Sequence, residues 1–275
     1  MTIERFRNIV KYNIDHQSWM EERARQFREK LGIIQERNLS NLLLLSKSAL
    51  DKENYRVFEM PFSDTEIGAV SYKKVNGGYI ILNSSLAKVN MNFALAHEFY
   101  HIFYQKKAHG RRMELYMSEK YGDYEEEHEA NLFAGILMMP KFVFQYMIAR
   151  FSMEQTPEDT ELTLLAKLMS YFEVPYMAVL IRCYELNLLQ DREILEQLLN
   201  VDKERIQEEF SRLWLKEQML RPSYNDEFPR FKELVSRIGK RNIEEGLMTR
   251  QAVKKVLSNM DEVYQIIKGD LHDDK

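Results

Sequence analysis

The sequence predicts an α+β chain, mainly helical, with a small antiparallel β-sheet in its first third and an all-helical C-terminal region. Three observations carry this. Residues 55–60 alternate in the period of two that a half-buried strand requires, and two more strand-like runs follow. On either side, long stretches repeat their apolar residues at helical spacing. Pro (6) and Gly (10) are too few in 275 residues for long irregular linkers.

Taken in order, residues 3–50 read as helices, with a charged face over 19–31 and the apolar cluster Leu42, Leu43, Leu44, Leu45. The first strand, 55–60, is closed by Pro61. Runs 66–75 and 78–82 read as two further strands joined by Asn76-Gly77, a strong hairpin signal. Asn83-Ser84-Ser85 reads as a turn or cap before a helix predicted over 89–104. A second strongly patterned helix spans 125–138 and stops at Pro140. Residues 162–189, interrupted at Val174-Pro175, read as two helices joined by a tight turn. An amphipathic helical stretch, 190–220, is broken by Arg221-Pro222-Ser223. Further helices run to about residue 268 before a frayed tail, 270–275.

The net charge of −4 lacks the basic field of a typical nucleic-acid binder, so no direct nucleic-acid partner is expected. The single cysteine, Cys183, excludes an intrachain disulfide and sits in an apolar run as a small buried hydrophobe. No run reaches about 18 consecutive apolar residues, and the first residues lack a signal-peptide core. The expectation is a cytoplasmic protein without a membrane span.

Chemistry concentrates in Ala94-Leu95-Ala96-His97-Glu98-Phe99-Tyr100-His101-Ile102-Phe103, an H-E-x-x-H pattern on a predicted helix. Positions four apart share a face, so the two imidazoles can converge on one ion. Zinc suits them, and Glu98 is placed as general base toward a water at the metal. The alternative makes His97 and His101 hydrogen-bonded core histidines. A catalytic zinc site needs a third protein ligand. In Glu125-Glu126-Glu127-His128-Glu129-Ala130-Asn131-Leu132-Phe133-Ala134, the buried face through Ala130, Phe133, Ala134 and Leu137 extends back to Glu126 and Glu127. A carboxylate continuing such a face needs a partner or a metal. Periodicity leaves Glu126 and Glu127 open; it puts Glu125 and Glu129 in solvent and His128 off the ligand face.

These motifs, in order, resemble the ImmA/IrrE family of metallo-endopeptidases. The likeness rests on Phe58-Glu59-Met60-Pro61-Phe62, Glu66-Ile67-Gly68, Ile80-Ile81-Leu82-Asn83, the His97–His101 motif, and Glu127-His128-Glu129-Ala130-Asn131-Leu132-Phe133-Ala134 up to Leu137-Met138-Met139-Pro140. It covers roughly residues 50–140 well, and the pair at 162–189 more loosely. The family's second motif, E-x-x-A-N-x-F-A, implies Glu127 as the metal-binding glutamate. Phe99-Tyr100 departs from the smaller pair common in relatives; Tyr100 lies off the ligand face, and its ring is expected to narrow the cleft.

The resemblance implies a zincin-like metallopeptidase domain over 1–150, with the sheet packed beside the H-E-x-x-H helix. A helical pair with helix-turn-helix-like packing would follow at 151–190, and a helical C-terminal region at 191–275. It implies one Zn2+ held by His97, His101 and Glu127, with Glu98 catalytic, and as substrate a helix-turn-helix transcriptional repressor of mobile elements or stress responses, or a similar regulatory protein. Tyr121, Tyr124, His109 and Arg111 are the nearby candidates for an oxyanion donor. A strand edge near 78–82 is expected to take substrate as an added strand. The competing readings are a non-proteolytic zinc-binding regulator, which the intact Glu98 disfavours, and a DNA-binding regulator using 162–189. In that last reading Arg182 is the sole basic residue on the second helix.

Overall fold

A computed structural model describes residues 1–33, 39, 41–74, 77–104, 112–116, 125–189 and 191–269. The chain opens with α1 (Ile3–Lys30), begun by Thr2, whose hydroxyl accepts from the Arg5 amide at 3.3 Å. Its buried residues Phe6, Asn13, Met20 and Phe27 recur every seven positions, which keeps one stripe against the core along the helix. Then come α2 (Leu42–Lys52), β1 (Tyr55–Met60), β2 (Ile67–Lys74), β3 (Gly77–Asn83), α3 (Lys88–Phe103), β4 (Arg112–Tyr116) and α4 (Glu125–Met138). They are followed by α5 (Lys141–Met153), α6 (Glu161–Phe172), α7 (Tyr176–Glu185), α8 (Arg192–Leu199), α9 (Lys203–Arg212), a short 3-10 turn at Glu217–Leu220, α10 (Phe228–Glu244) and α11 (Arg250–Lys268).

The strands order as β1-β3-β2-β4. The expected hairpin of β2 and β3 is antiparallel, and Gly77 carries its φ of +116°, a conformation only glycine adopts readily. Next to it, a Cβ on Gly78 would lie 2.0 Å from the Tyr72 carbonyl oxygen, so no side chain fits there.

The sheet is mixed rather than purely antiparallel. β1 runs parallel to β3, from Tyr55↔Gly78 to Met60↔Asn83. The loop after Pro61 carries the chain past the β3 position, and the hairpin folds back into it. The fully buried Asn83 amide pins that loop. Its oxygen accepts from Phe62 and Ser85 amides, and its nitrogen donates to the carbonyls of Asp64 and Ile67, at 2.8–3.1 Å. Residues 84–85 form the expected turn, and Asn83 before it serves as a crossover clamp in which every polar group it buries is satisfied. β3 is internal, so the expected substrate-binding edge at 78–82 does not exist. β4, too short and weakly patterned to read from sequence, is the strand on the far side of β2.

One face of the sheet packs on the helical body, where Ala69, Ile80 and Leu82 join a core shared by α1, α3, α4, α6 and α7. The other face carries Phe58, Met60, Phe62 and Val70, covered by Phe231 and Leu234 of α10 and Ile267 of α11. Residues 221–227 stitch that cover on: Pro222 bridges Ala87, the Tyr224 amide donates to the Ser84 carbonyl at 3.0 Å, and the Glu227 amide to the Glu59 carbonyl at 2.8 Å. The stretch 190–220, expected as one helical run, divides into α8 and α9 at Asn200-Val201-Asp202, with Asp202 capping α9. No single helix is long and apolar enough to cross a membrane among the described residues.

Candidate metal centre

α3 and α4 lie side by side, and small residues let them approach: Ala94, Ala96, Ala130 and Ala134 are all fully buried. α3 sets His97 and His101 one turn apart on a single buried face. Their Nε2 atoms lie 2.9 Å apart. From the first turn of α4, Glu127 reaches across with Oε2 3.1 Å from His97 Nε2 and Oε1 3.6 Å from His101 Nε2. Donors bound at about 2.0–2.1 Å to one tetrahedral ion are themselves about 3.3–3.4 Å apart. These separations match, and the three residues could hold a metal ion. Among the described residues no other group of three His, Cys, Asp or Glu side chains converges this way.

The electrostatics favour a cation. Burial by itself would lower the His97 pKa, but the Glu127 carboxylate, helped by Glu98 and Asn131, raises it above the usual 6.5. Burial would likewise raise Glu127, and His97 and His101 outweigh it and lower its pKa. Without a metal, a proton shared between two buried imidazoles and a carboxylate does the work that a dication does better. Asn131 Oδ1 lies 2.9 Å from His97 Nδ1, which puts the ring proton on Nδ1 and turns the Nε2 lone pair toward the cluster. Asn131 falls one turn after Glu127, a spacing that would have exposed its role in the sequence.

Glu98, on the same helix, is buried beside the cluster. Burial pushes its pKa up to about 7; His97 and a hydrogen bond from Ser71 of β2 restrain the rise, and Glu127 adds to it. Glu98 Oε2 has no hydrogen-bond partner among the described residues. An unpartnered buried carboxylate oxygen is costly and demands an explanation; beside a metal site, a water is the natural one. Ser71 carried no sequence signal, because its contact with Glu98 depends on how β2 crosses α3.

Other expectations divide. His128 stands apart from the donor set, its ring 5.4 Å from that of Tyr12. Tyr100 does not narrow a cleft: it is buried, and its hydroxyl donates to Glu129 and accepts from Arg23 at 2.6 Å. Glu129 is thus half-buried in that network rather than free in solvent. The candidates His109, Arg111, Tyr121 and Tyr124, and the side chain of Glu126, lie outside the described residues. α6 and α7 meet at 107°, the crossing of a helix-turn-helix pair. Arg182, however, is buried, donates to the Met139 carbonyl and pairs with Glu185 at 2.7 Å, so the basic residue that a DNA-reading helix would present points inward.

A buried glutamate beside two histidines and a second glutamate, on packed helices flanked by a small sheet, defines a metallopeptidase-type hydrolase. Residues 50–184, roughly half of the chain, match the Peptidase_M78 family model, described as the IrrE N-terminal-like domain. The chain belongs to the ImmA/IrrE family of metallopeptidases. A comparison with curated proteins finds no match.

Proposed function

We propose that the protein is a zinc-dependent endopeptidase, with His97, His101 and Glu127 holding one ion and Glu98 as catalytic acid and base. The observation that carries it is the unpartnered Oε2 of a buried Glu98 beside a His/His/Glu donor set. A bound zinc supplies Lewis acidity toward a water and the scissile carbonyl oxygen. Glu98 accepts the attacking water's proton at Oε2 and delivers it to the leaving amine. A pKa raised by burial toward neutrality suits a group that must do both, and the Ser71 hydrogen bond holds the carboxylate in place. Asn131 keeps His97 in the tautomer that binds metal. We assign substrate alignment to the β4 edge: β4 pairs with β2 at Met113 opposite Ser71, the residue whose side chain hydrogen-bonds Glu98.

The substrate we propose is a cytosolic repressor-type transcription factor, the class implied by the family resemblance. Metal analysis tests the site, with about one zinc expected per chain and little in His97→Ala or Glu127→Ala. Incubation with a candidate repressor tests the reaction. Glu98→Gln should keep zinc and lose about 10²–10⁴-fold in cleavage rate. Unchanged cleavage by Glu98→Gln, or full zinc in Glu127→Ala, would overturn this reading.

A further inference from the structure

The edge of the sheet farthest from β4 borders a groove of about 710 Å³, bounded by α2, the start of α3, residues 223–227 and α10. Its lining includes none of the metal-cluster residues. The outer edge of β1 runs along it. Asn54 and Met60 turn their carbonyls inward, accepting from Gly78 and Ser84 amides at the β3 side. Backbone polar groups alternate along a strand, so Tyr55, Val57 and Glu59 turn theirs outward. At Glu59 both outward groups are taken by one residue: Glu227 donates its amide to the Glu59 carbonyl and accepts the Glu59 amide on its carboxylate at 3.0 Å. At Val57, two residues back, neither outward group has a partner among the described residues.

An open edge between flanking helices is a template for an added strand. The rim defines the chemistry of that strand. Five basic and three acidic side chains line the groove. Lys47 of α2 and Lys88 of α3 stand on one side; Arg56 and Arg237 fall on the α10 side, since Arg56 shares its strand face with Phe58, which packs on Phe231. Lys47, Arg56 and Lys88 have no ion-pair partner among the described residues. Lys88 also occupies the first turn of α3, where the helix dipole disfavours a positive charge, so helix stability does not account for it.

We propose that this groove docks an extended acidic segment of a partner protein, which pairs as a further strand with Val57 and places carboxylates alternately toward the two basic sides. The chain's own Glu227 supplies the precedent, a backbone amide and a carboxylate used together on the same edge. The docking is independent of peptide hydrolysis, because it uses other residues and is read as binding.

The test is fluorescence anisotropy of full-length Glu98→Gln protein, used to prevent cleavage, with a fluorescein-labelled peptide Val-Asp-Glu-Val-Asp-Glu, which as a strand carries acids on both faces, at low salt. Saturable binding is expected, with a Lys-for-acid control peptide at least about tenfold weaker. Val57→Pro removes an outward amide, which an edge strand tolerates, together with part of the valine's packing on the core, and should weaken binding about tenfold or more while the protein stays folded by circular dichroism. Arg56→Glu, at an exposed side chain, should do the same and serves if the proline variant fails to fold. No saturation up to about 1 mM peptide, equal binding of the Lys peptide, or parent-like binding by a folded Val57→Pro or Arg56→Glu would overturn the proposal.

Discussion

At the scale of single residues, the centre is a set of groups whose charges make sense together and not apart. Metal competes with protons for His97, whose pKa lies above 6.5, and Glu127 is held below its usual 4.5. In the metal-free protein the raised histidine stabilises the fold below its unfolded pKa, and that contribution fades as pH climbs through the folded value. The lowered carboxylate contributes above 4.5 and fades as pH falls through its own folded value. Metal binding runs the other way and strengthens as His97 loses its proton. The melting temperature gained on adding zinc should therefore grow from about pH 6 to about pH 8, as read by differential scanning fluorimetry. A gain that shrinks over that range would contradict the assignment of His97. Asn131→Ala should weaken zinc affinity about 10–100-fold in competition with a chelating dye, through loss of the tautomer-setting acceptor.

At the scale of elements, α3 and α4 must hold their register if donors from both are to meet. Alanines set their spacing, and the Arg23–Tyr100–Glu129 chain ties α1, α3 and α4 together on the side away from the ligands. Tyr100→Phe removes the bridging hydroxyl and leaves Glu129 and Arg23 without it. Urea unfolding should show a loss of about 1–3 kcal/mol, with zinc content unchanged. Phe27 is fully buried against Phe99, Phe103 and Phe133, so Phe27→Ala should cost about 3–5 kcal/mol by the same measurement. Both helices were legible in the sequence because their apolar periodicity and the Pro140 stop are local. The parallel pairing of β1 with β3 was not, because a hairpin signal says which strands are neighbours in the chain and nothing of a third strand inserted beside them.

At the scale of the whole molecule, the sheet has helices on both faces. The α10–α11 cover is held by Phe231, its ring tilted against those of Phe58 and Tyr79, and by residues 221–227 along the rim. Phe231→Asp should bury an unpaired charge against that face, lower the melting temperature by several degrees and raise light scattering on heating. The sequence announced these helices but not their destination, because an amphipathic helix encodes only that one face will be covered. The same holds for Arg182: a lone base on a helix reads as surface until Glu185 and the Met139 carbonyl are seen enclosing it.

By itself the sequence determined most of the elements, though not β4 or the division of 190–220, together with the His97–Glu98–His101 face and the small set of acids from which Glu127 is drawn, since each depends on neighbours close in the chain. Only the tertiary structure decided that β3 is internal, that Ser71 and Asn131 serve Glu98 and His97, and that β1 keeps an open edge. Those facts arise where segments distant in the chain come within hydrogen-bonding reach, and no local pattern of side chains records that distance.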